Sequence, residues 1–290
     1  MTEKILLDTD IGSDCDDAGA IAILHNFSKE GKAEILGITH CGSEIGGAIT
    51  IKAINEWYGR EDILVGKYTQ GVFLEGEFYR KFSDKIMKHY LEKNEMPYLP
   101  DSVKTMRRVL SENKDVTVVT IGMLNNVANL LKSEPDEISE ESGFELVRDR
   151  VRCIYSMGGN FEDSEYAEFN IRMDTTSANY VASRCPVPVI YAGFELGKDI
   201  KTGTFLDTAK DEHPVKQIYE IFGGRGFNWD PITVYCAINQ ENKLFKKISG
   251  KQITFDDEGK TVCKDGGKDG YLVMEAEPEL IRMELDKYLR

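Results

Sequence analysis

The chain has 290 residues, 41% of them hydrophobic, and carries 36 basic against 50 acidic residues for a net charge of −14. This is enough apolar material for one large core, at the upper end of what a single domain holds. The acidic balance argues against a nucleic-acid partner, since phosphate binding needs a Lys/Arg surface, and no apolar stretch approaches the roughly 20 residues of a membrane span.

Met1-Thr2-Glu3-Lys4 runs straight into Ile5-Leu6-Leu7, so no signal peptide is expected. Residues 4–8 read as a short buried strand ending on carboxylates. Residues 17–26 then show Ala18, Ile21, Ala22 and Leu24 at helical spacing. A strand over 33–39, a helix over 45–58 and a short strand over 63–65 follow. Residues 101–111 read as a helix capped by Asp101 or Ser102, and the branched run 116–121 as a strand. The turn Gly122-Met-Leu-Asn125-Asn126 opens a helix to residue 131, and the strand 151–157 ends in Gly158-Gly159-Asn160. Beyond it lie a helix over 175–183, a strand over 188–192, helices over 214–222 and 230–238, a terminal hairpin within 250–273 and a closing amphipathic helix over 277–289. The six cysteines (Cys15, Cys41, Cys153, Cys185, Cys236, Cys263) are scattered without a C-x-x-C pair and read as reduced thiols of a cytoplasmic protein.

Strands alternating with helices predict an α/β fold: one domain over 1–290, an open, mostly parallel sheet flanked by helices, with right-handed crossovers and a Rossmann-like core. In such sheets ligands bind outside the carboxyl ends of the strands. Four polar clusters fall at predicted strand ends, at 8–17, 39–44, 122–126 and 158–170, and the sheet brings them together.

The first cluster is the most informative. Asp8, Asp10, Asp14, Asp16 and Asp17 lie within one strand-to-helix turn. Crowding these anions costs roughly several kcal/mol unless something neutralises them. A helix N-terminus supplies part of the compensation, and a hard divalent cation, calcium above all, supplies more through six to eight oxygen ligands. An EF-hand is excluded, because no helix precedes the loop and the bidentate Glu is missing.

Asp8-Thr-Asp10-Ile-Gly12-Ser-Asp14-Cys-Asp16-Asp17-Ala18 resembles the D-T-D-P-G-x-D-D-A signature of the inosine-uridine preferring nucleoside hydrolases. Further matches follow in order: Gly122-Met-Leu-Asn125-Asn126 for the family's G-P-L-T-N turn, Met157-Gly-Gly-Asn160 for M-G-G, Ala167-Glu168-Phe169-Asn170 for A-E-x-N with Asp174 after it, and Trp229-Asp230 for the H-D or W-D pair. The resemblance implies a nucleoside hydrolase-like fold and a calcium ion held by Asp10, Asp17, Asp230 and the carbonyl of Asn125. It implies that Asp16, Asn160, Glu168 and Asn170 hydrogen-bond the ribose, and that the chain forms a homo-oligomer, a dimer or tetramer. The implied chemistry is cleavage of a ribonucleoside to base and ribose by a calcium-activated water, with Asp10 as general base and an oxocarbenium-like transition state in a preorganised, carboxylate-rich pocket.

The sequence departs from the family pattern at four places. Asp14-Cys15 is an insertion, so Asp14 competes with Asp16 for the sugar. Ile11 replaces a Pro. Ser43 or Glu44 stands where the family has an Asn on the ribose. Trp229 replaces His, which removes a leaving-group acid and places an aromatic ring for stacking, worth roughly 1 kcal/mol, in favour of a purine. His40 could contact the site from its strand end, although a structural role is the simpler reading. His25, His89 and His213 read as packing or surface residues. Phe73, Phe78 and Tyr79 fall in a segment that could cover the site, and Arg225 and Phe227 border Asp230. Two rival readings remain: a homologue that binds calcium and ribose without turnover, and a phosphotransferase of the haloacid dehalogenase type prompted by Asp8-x-Asp10.

Overall fold

A computed structural model describes residues 2–163 and 165–289. Eight strands form one sheet: β1 (Glu3–Thr9), β2 (Ala33–His40), β3 (Val65–Lys67), β4 (Val116–Thr120), β5 (Val151–Met157), β6 (Val189–Ala192), β7 (Phe245–Phe255) and β8 (Thr261–Met274). Their order is β3-β2-β1-β4-β5-β6-β8-β7, and every pairing is parallel except β7 with β8.

The central strands are apolar throughout because both faces are covered. Side chains alternate between two cores: Ile5 and Leu7 of β1 join the core built with the helices Asp16–Lys29 and Trp229–Ile238, whereas Leu6 joins the core built with Ser102–Glu112 and Asn125–Lys132. The register aligns the carboxyl ends. Asp8 lies opposite Thr39 on one side and Thr120 on the other, Thr120 opposite Ser156, and Met157 opposite Ala192. Every turn that leaves these strands therefore leaves from one edge.

The expected elements are present with ends shifted by a few residues, and β3 begins where the strand predicted over 63–65 ends. The helices Ser83–Leu91, Gly143–Arg150 and Phe169–Met173 are additions to that pattern. Only Ser83 and Ile86 are buried in the first of these, too few apolar positions to show a period. The second carries a readable signal, since Ser142 and Glu145 form a reciprocal capping box. The terminal hairpin extends the main sheet, because β8 pairs in parallel with β6. All six cysteines are free thiols, five buried and Cys263 exposed.

Arg107 fastens the loop that follows the helix Asn125–Lys132. Its buried guanidinium makes a two-pronged pair with Asp136 (2.9 Å each) and donates to Ser133 Oγ and to the carbonyls of Ser139 and Glu141. Removing one partner of a buried pair costs about 3–5 kcal/mol. Arg107→Met is expected to lose stability of that order in urea unfolding; a loss below about 1 kcal/mol would show that the loop is held by other contacts.

Candidate active site

β1 ends at Thr9, and the chain turns through residues 10–15 into the helix Asp16–Lys29, with Asp16 and Asp17 in its first turn at the positive end of the helix dipole. Two glycines allow the close approach this turn requires. A Cβ on Gly12 would lie 2.3 Å from the Tyr79 carbonyl oxygen, and one on Gly122 would lie 2.9 Å from the backbone nitrogen and Oδ1 of Asp10. Asp8 sits behind the turn as an anchor. Its Oδ1 accepts from Thr39 Oγ1 (2.6 Å) and Asn126 Nδ2 (2.8 Å), its Oδ2 is buried without a partner, and burial pushes the carboxyl up to about 7. The phosphotransferase reading needs both carboxylates of Asp8-x-Asp10 at a reaction centre, and this placement of Asp8 removes its basis.

At the carboxyl edge of the sheet lies a cavity of about 240 Å³. Asp10, Asp14, Asp16, Asp17 and Asp230 line it together with Ser13. Ile121, Met157, Glu168 and Asn170 line it too, as do the rings of Phe78, Tyr166, Phe169, Phe194 and Trp229. Carboxylate oxygens of Asp14, Asp16 and Asp17 lie within 4.8 Å of one another. Asp17 accepts a short hydrogen bond from the Thr9 hydroxyl, and Asp16 Oδ2 accepts from the Asp230 amide at 3.5 Å. Burial first, and the neighbouring carboxylates after it, hold Asp10, Asp16, Asp17 and Asp230 well above the usual carboxylate range. Asp14 is the exposed member. The surrounding protein still raises its carboxyl by desolvation, opposed by its hydrogen bond with Asp16 and by the charge of Lys81. Among the described residues no Lys or Arg forms an ion pair with any of the five. An all-oxygen donor set this crowded, with so little countercharge, fits a hard divalent cation.

Glu168 caps the helix Phe169–Met173 and accepts from the amides of Asn170 (2.9 Å), Ile171 (3.1 Å) and Gly159 (3.3 Å); burial pushes its carboxyl up to about 7 against those bonds. Asn170 Nδ2 is turned toward the carbonyls of Ile121 (3.4 Å) and Met157 (3.3 Å), which leaves its side-chain oxygen for a ligand. Trp229 is pinned by its Nε1–H to the Phe194 carbonyl (2.7 Å). It stacks on Phe194 (centroids 5.4 Å) and Phe227 (4.7 Å), while Tyr166 packs on Phe194 at 4.6 Å.

The cavity thus gathers Asp10, Asp16, Asp17, Glu168, Asn170, Trp229 and Asp230 of the residues expected from sequence. The side chains of three others lie off it. Asn160 Oδ1 accepts from the amides of Glu162 (3.1 Å) and Asp163 (2.9 Å) and shapes its own loop. Asn125 Nδ2 donates to the Cys41 carbonyl (2.9 Å), with Oδ1 buried and unpartnered. Glu44 is turned to the segment above the site, where its Oε1 accepts from the Gly76 amide (3.1 Å) and pairs with Arg80 Nε (3.4 Å). Ser43 binds the same segment through both backbone and hydroxyl contacts to Phe73. That segment places Phe78 over the cavity, as its position suggests, whereas Phe73 and Tyr79 pack against Cys41, Leu74 and Met123.

His40 is structural. It is buried between the carbonyls of Gly42 (2.9 Å) and Ile11 (3.2 Å), and burial pushes its pKa down to about 4. His25 and His213 are buried, whereas His89 is exposed. Arg225 turns to the carbonyls of Gly203 and Gly224. Sequence reasoning missed Ser13, Tyr166 and Phe194. Phe194 and Tyr166 are both within reach of the strand-end rule, since Phe194 follows β6 and Tyr166 lies in the polar cluster after β5, but nothing in residue identity singles out either ring.

An α/β sheet with a carboxylate cluster and an aromatic-walled cavity at its carboxyl edge defines a small-molecule site. The sequence pattern of the inosine-uridine preferring nucleoside hydrolases matches residues 5–283, and the chain belongs to that family. No curated protein matches the sequence. Among solved structures it resembles a plant nucleoside hydrolase, PpNRh1, at 17% identity over 100% of this chain and 99% of that one (TM-score 0.77). The inosine-uridine preferring nucleoside hydrolase from Bacillus anthracis is 14% identical over 99% and 98% (0.76), and the purine-preferring ribonucleoside hydrolase from Gardnerella vaginalis 19% identical over 99% and 98% (0.72). The type III effector XopQ, solved with adenosine diphosphate ribose, is 16% identical over 100% and 92% (0.71).

The charge crowding gives a two-sided test. With chelator present, Asp230→Asn relieves repulsion and is expected to raise the melting temperature by a few degrees. With millimolar calcium the order reverses, because the parent gains binding free energy that the variant lacks. A variant less stable than the parent under both conditions would show that the cluster is not under electrostatic strain.

Proposed function

We propose that this chain hydrolyses the N-glycosidic bond of ribonucleosides, favouring purines, with calcium at its carboxylate cluster. The observation that carries the reading is a single cavity joining five aspartates, Glu168 and Asn170 suited to sugar hydroxyls, and an aromatic wall suited to a base. Asp10, Asp17 and Asp230, with the carbonyl of Asn125, would hold the ion, and Asp14 and Asp16 adjoin them. When bound, a hard cation supplies Lewis acidity to a water oxygen and an anchor for vicinal hydroxyls.

The chain's own groups account for the rest. Asp10, at the floor of the cavity, takes the proton of the attacking water. Glu168 and the Asn170 oxygen receive sugar hydroxyls, and a deoxy sugar would leave buried acceptors unpaired. The carboxylates around C1′ stabilise the positive charge of the ribosyl transition state. Trp229, fixed by its Nε1–H on the Phe194 carbonyl and stacked in a run of aromatic rings, forms part of an aromatic wall for the base, which supports a preference for the larger purine surface.

A second reading, ribosyl-ligand binding without turnover, has one observation in its favour: no histidine lines the cavity among the described residues. The effector solved with adenosine diphosphate ribose shares the fold.

Ribose release from inosine, adenosine, guanosine, uridine and cytidine, with calcium and with chelator, separates the two readings. The proposal expects chelator-sensitive release that is fastest with purines, and a folded Asp10→Asn variant slowed by about 100-fold or more. Calcium binding without release from any nucleoside would favour the binding reading. Trp229→Ala is expected to raise KM for inosine more than for uridine; equal effects would remove the base-stacking role.

A further inference from the structure

Breaking the bond to a nucleobase leaves an electron pair on a ring nitrogen, and a hydrogen-bond donor on the base side of the cavity stabilises it. Most donors lining the cavity are already committed. Trp229 Nε1–H is used on the Phe194 carbonyl (2.7 Å). Asn170 Nδ2 is used on Ile121 and Met157. Ser13 belongs to the carboxylate turn, and Phe78, Phe169 and Phe194 have no donor. Tyr166 remains. Its ring packs on Phe194 at 4.6 Å, which continues the stack to Trp229, its hydroxyl makes no hydrogen bond among the described residues, and the residue is 40% exposed.

Resting on the hydrolase reading above, we propose that the Tyr166 hydroxyl is the leaving-group donor of this site, in the role a histidine would otherwise fill. The C1′–N bond breaks with its electron pair passing to the base. The water oxygen bonds to C1′ and its proton passes to Asp10. The Tyr166 O–H passes its proton to a ring nitrogen of the departing base, the phenolate of this half-exposed residue is reprotonated from solvent, and Asp10 releases the water's proton to solvent. The sum is nucleoside plus water giving ribose plus base. Tyr166 lies seven residues after Gly159, on the loop between β5 and the helix capped by Glu168, so the segment that supplies a sugar contact also supplies the base contact.

The test is Tyr166→Phe, which keeps the ring and removes only the hydroxyl, assayed on inosine and on p-nitrophenyl riboside, whose leaving group departs as a stable phenolate without a proton. Expected is a fall in kcat on inosine of about 100-fold, the low end of what a positioned general acid contributes. KM should stay within about twofold, and the fall on p-nitrophenyl riboside should be much smaller. Equal losses on both substrates, or no loss on inosine, overturn the assignment while the hydrolase reading stands. A parent chain that cleaves neither substrate overturns the hydrolase reading and this inference with it.

Discussion

The structure is organised around negative charge that the protein itself does not neutralise. Five aspartates converge on one small cavity, four of them buried, and no lysine or arginine pairs with any of them among the described residues. Like charges at such separations in a partly desolvated setting repel strongly, and burial first, with that repulsion after it, raises the carboxyls of Asp10, Asp16, Asp17 and Asp230. The fold tolerates the arrangement because the turn is pinned from outside: by the Thr9 hydroxyl on Asp17, by the amide of Asp230 on Asp16, and by Asp8 tied to Thr39 and Asn126. Strain kept in a site by a rigid surround marks a ligand-binding role.

The rigid surround is the sheet. Parallel pairing in register sets the carboxyl ends of β1, β2, β4, β5 and β6 along one edge, so turns distant in sequence supply adjacent walls. The cluster comes from the turn after β1, with Asp230 from the start of a late helix. Glu168 and Asn170 come from the segment after β5, and Phe194 from the turn after β6. The Phe78 segment is fastened by Ser43 and Glu44 at the end of β2, so the same edge holds the cover as well as the floor.

Most of this is legible in the sequence. Alternating apolar runs and helical periods report burial directly, and a parallel sheet buries both faces of its strands, so the strands lie within a few residues of where the pattern puts them. The carboxylate cluster is legible because so many aspartates directly after a buried strand repel one another unless a cation sits among them. What stays hidden depends on side-chain direction, which residue identity does not encode. The sequence pattern puts Glu44 on the ribose, yet its carboxylate finds the Gly76 amide and Arg80 instead, a pairing decided by a loop conformation with glycines at positive φ at Gly71 and Gly76. Asn160 turns inward to organise its own loop, and Tyr166 enters the cavity from a loop with no periodic signal. The insertion Asp14-Cys15 leaves the sharing of roles between Asp14 and Asp16 open in the sequence, and the structure sets both oxygens within reach of Asp17.

The most direct test of the central claim is a crystal structure grown with calcium and ribose, read by anomalous scattering. The predicted result is one ion at roughly 2.3–2.6 Å from carboxylate oxygens of Asp10, Asp17 and Asp230, with the sugar hydroxyls completing its shell. Density for ribose without an ion at the cluster, or an ion bound away from these three aspartates, would contradict it.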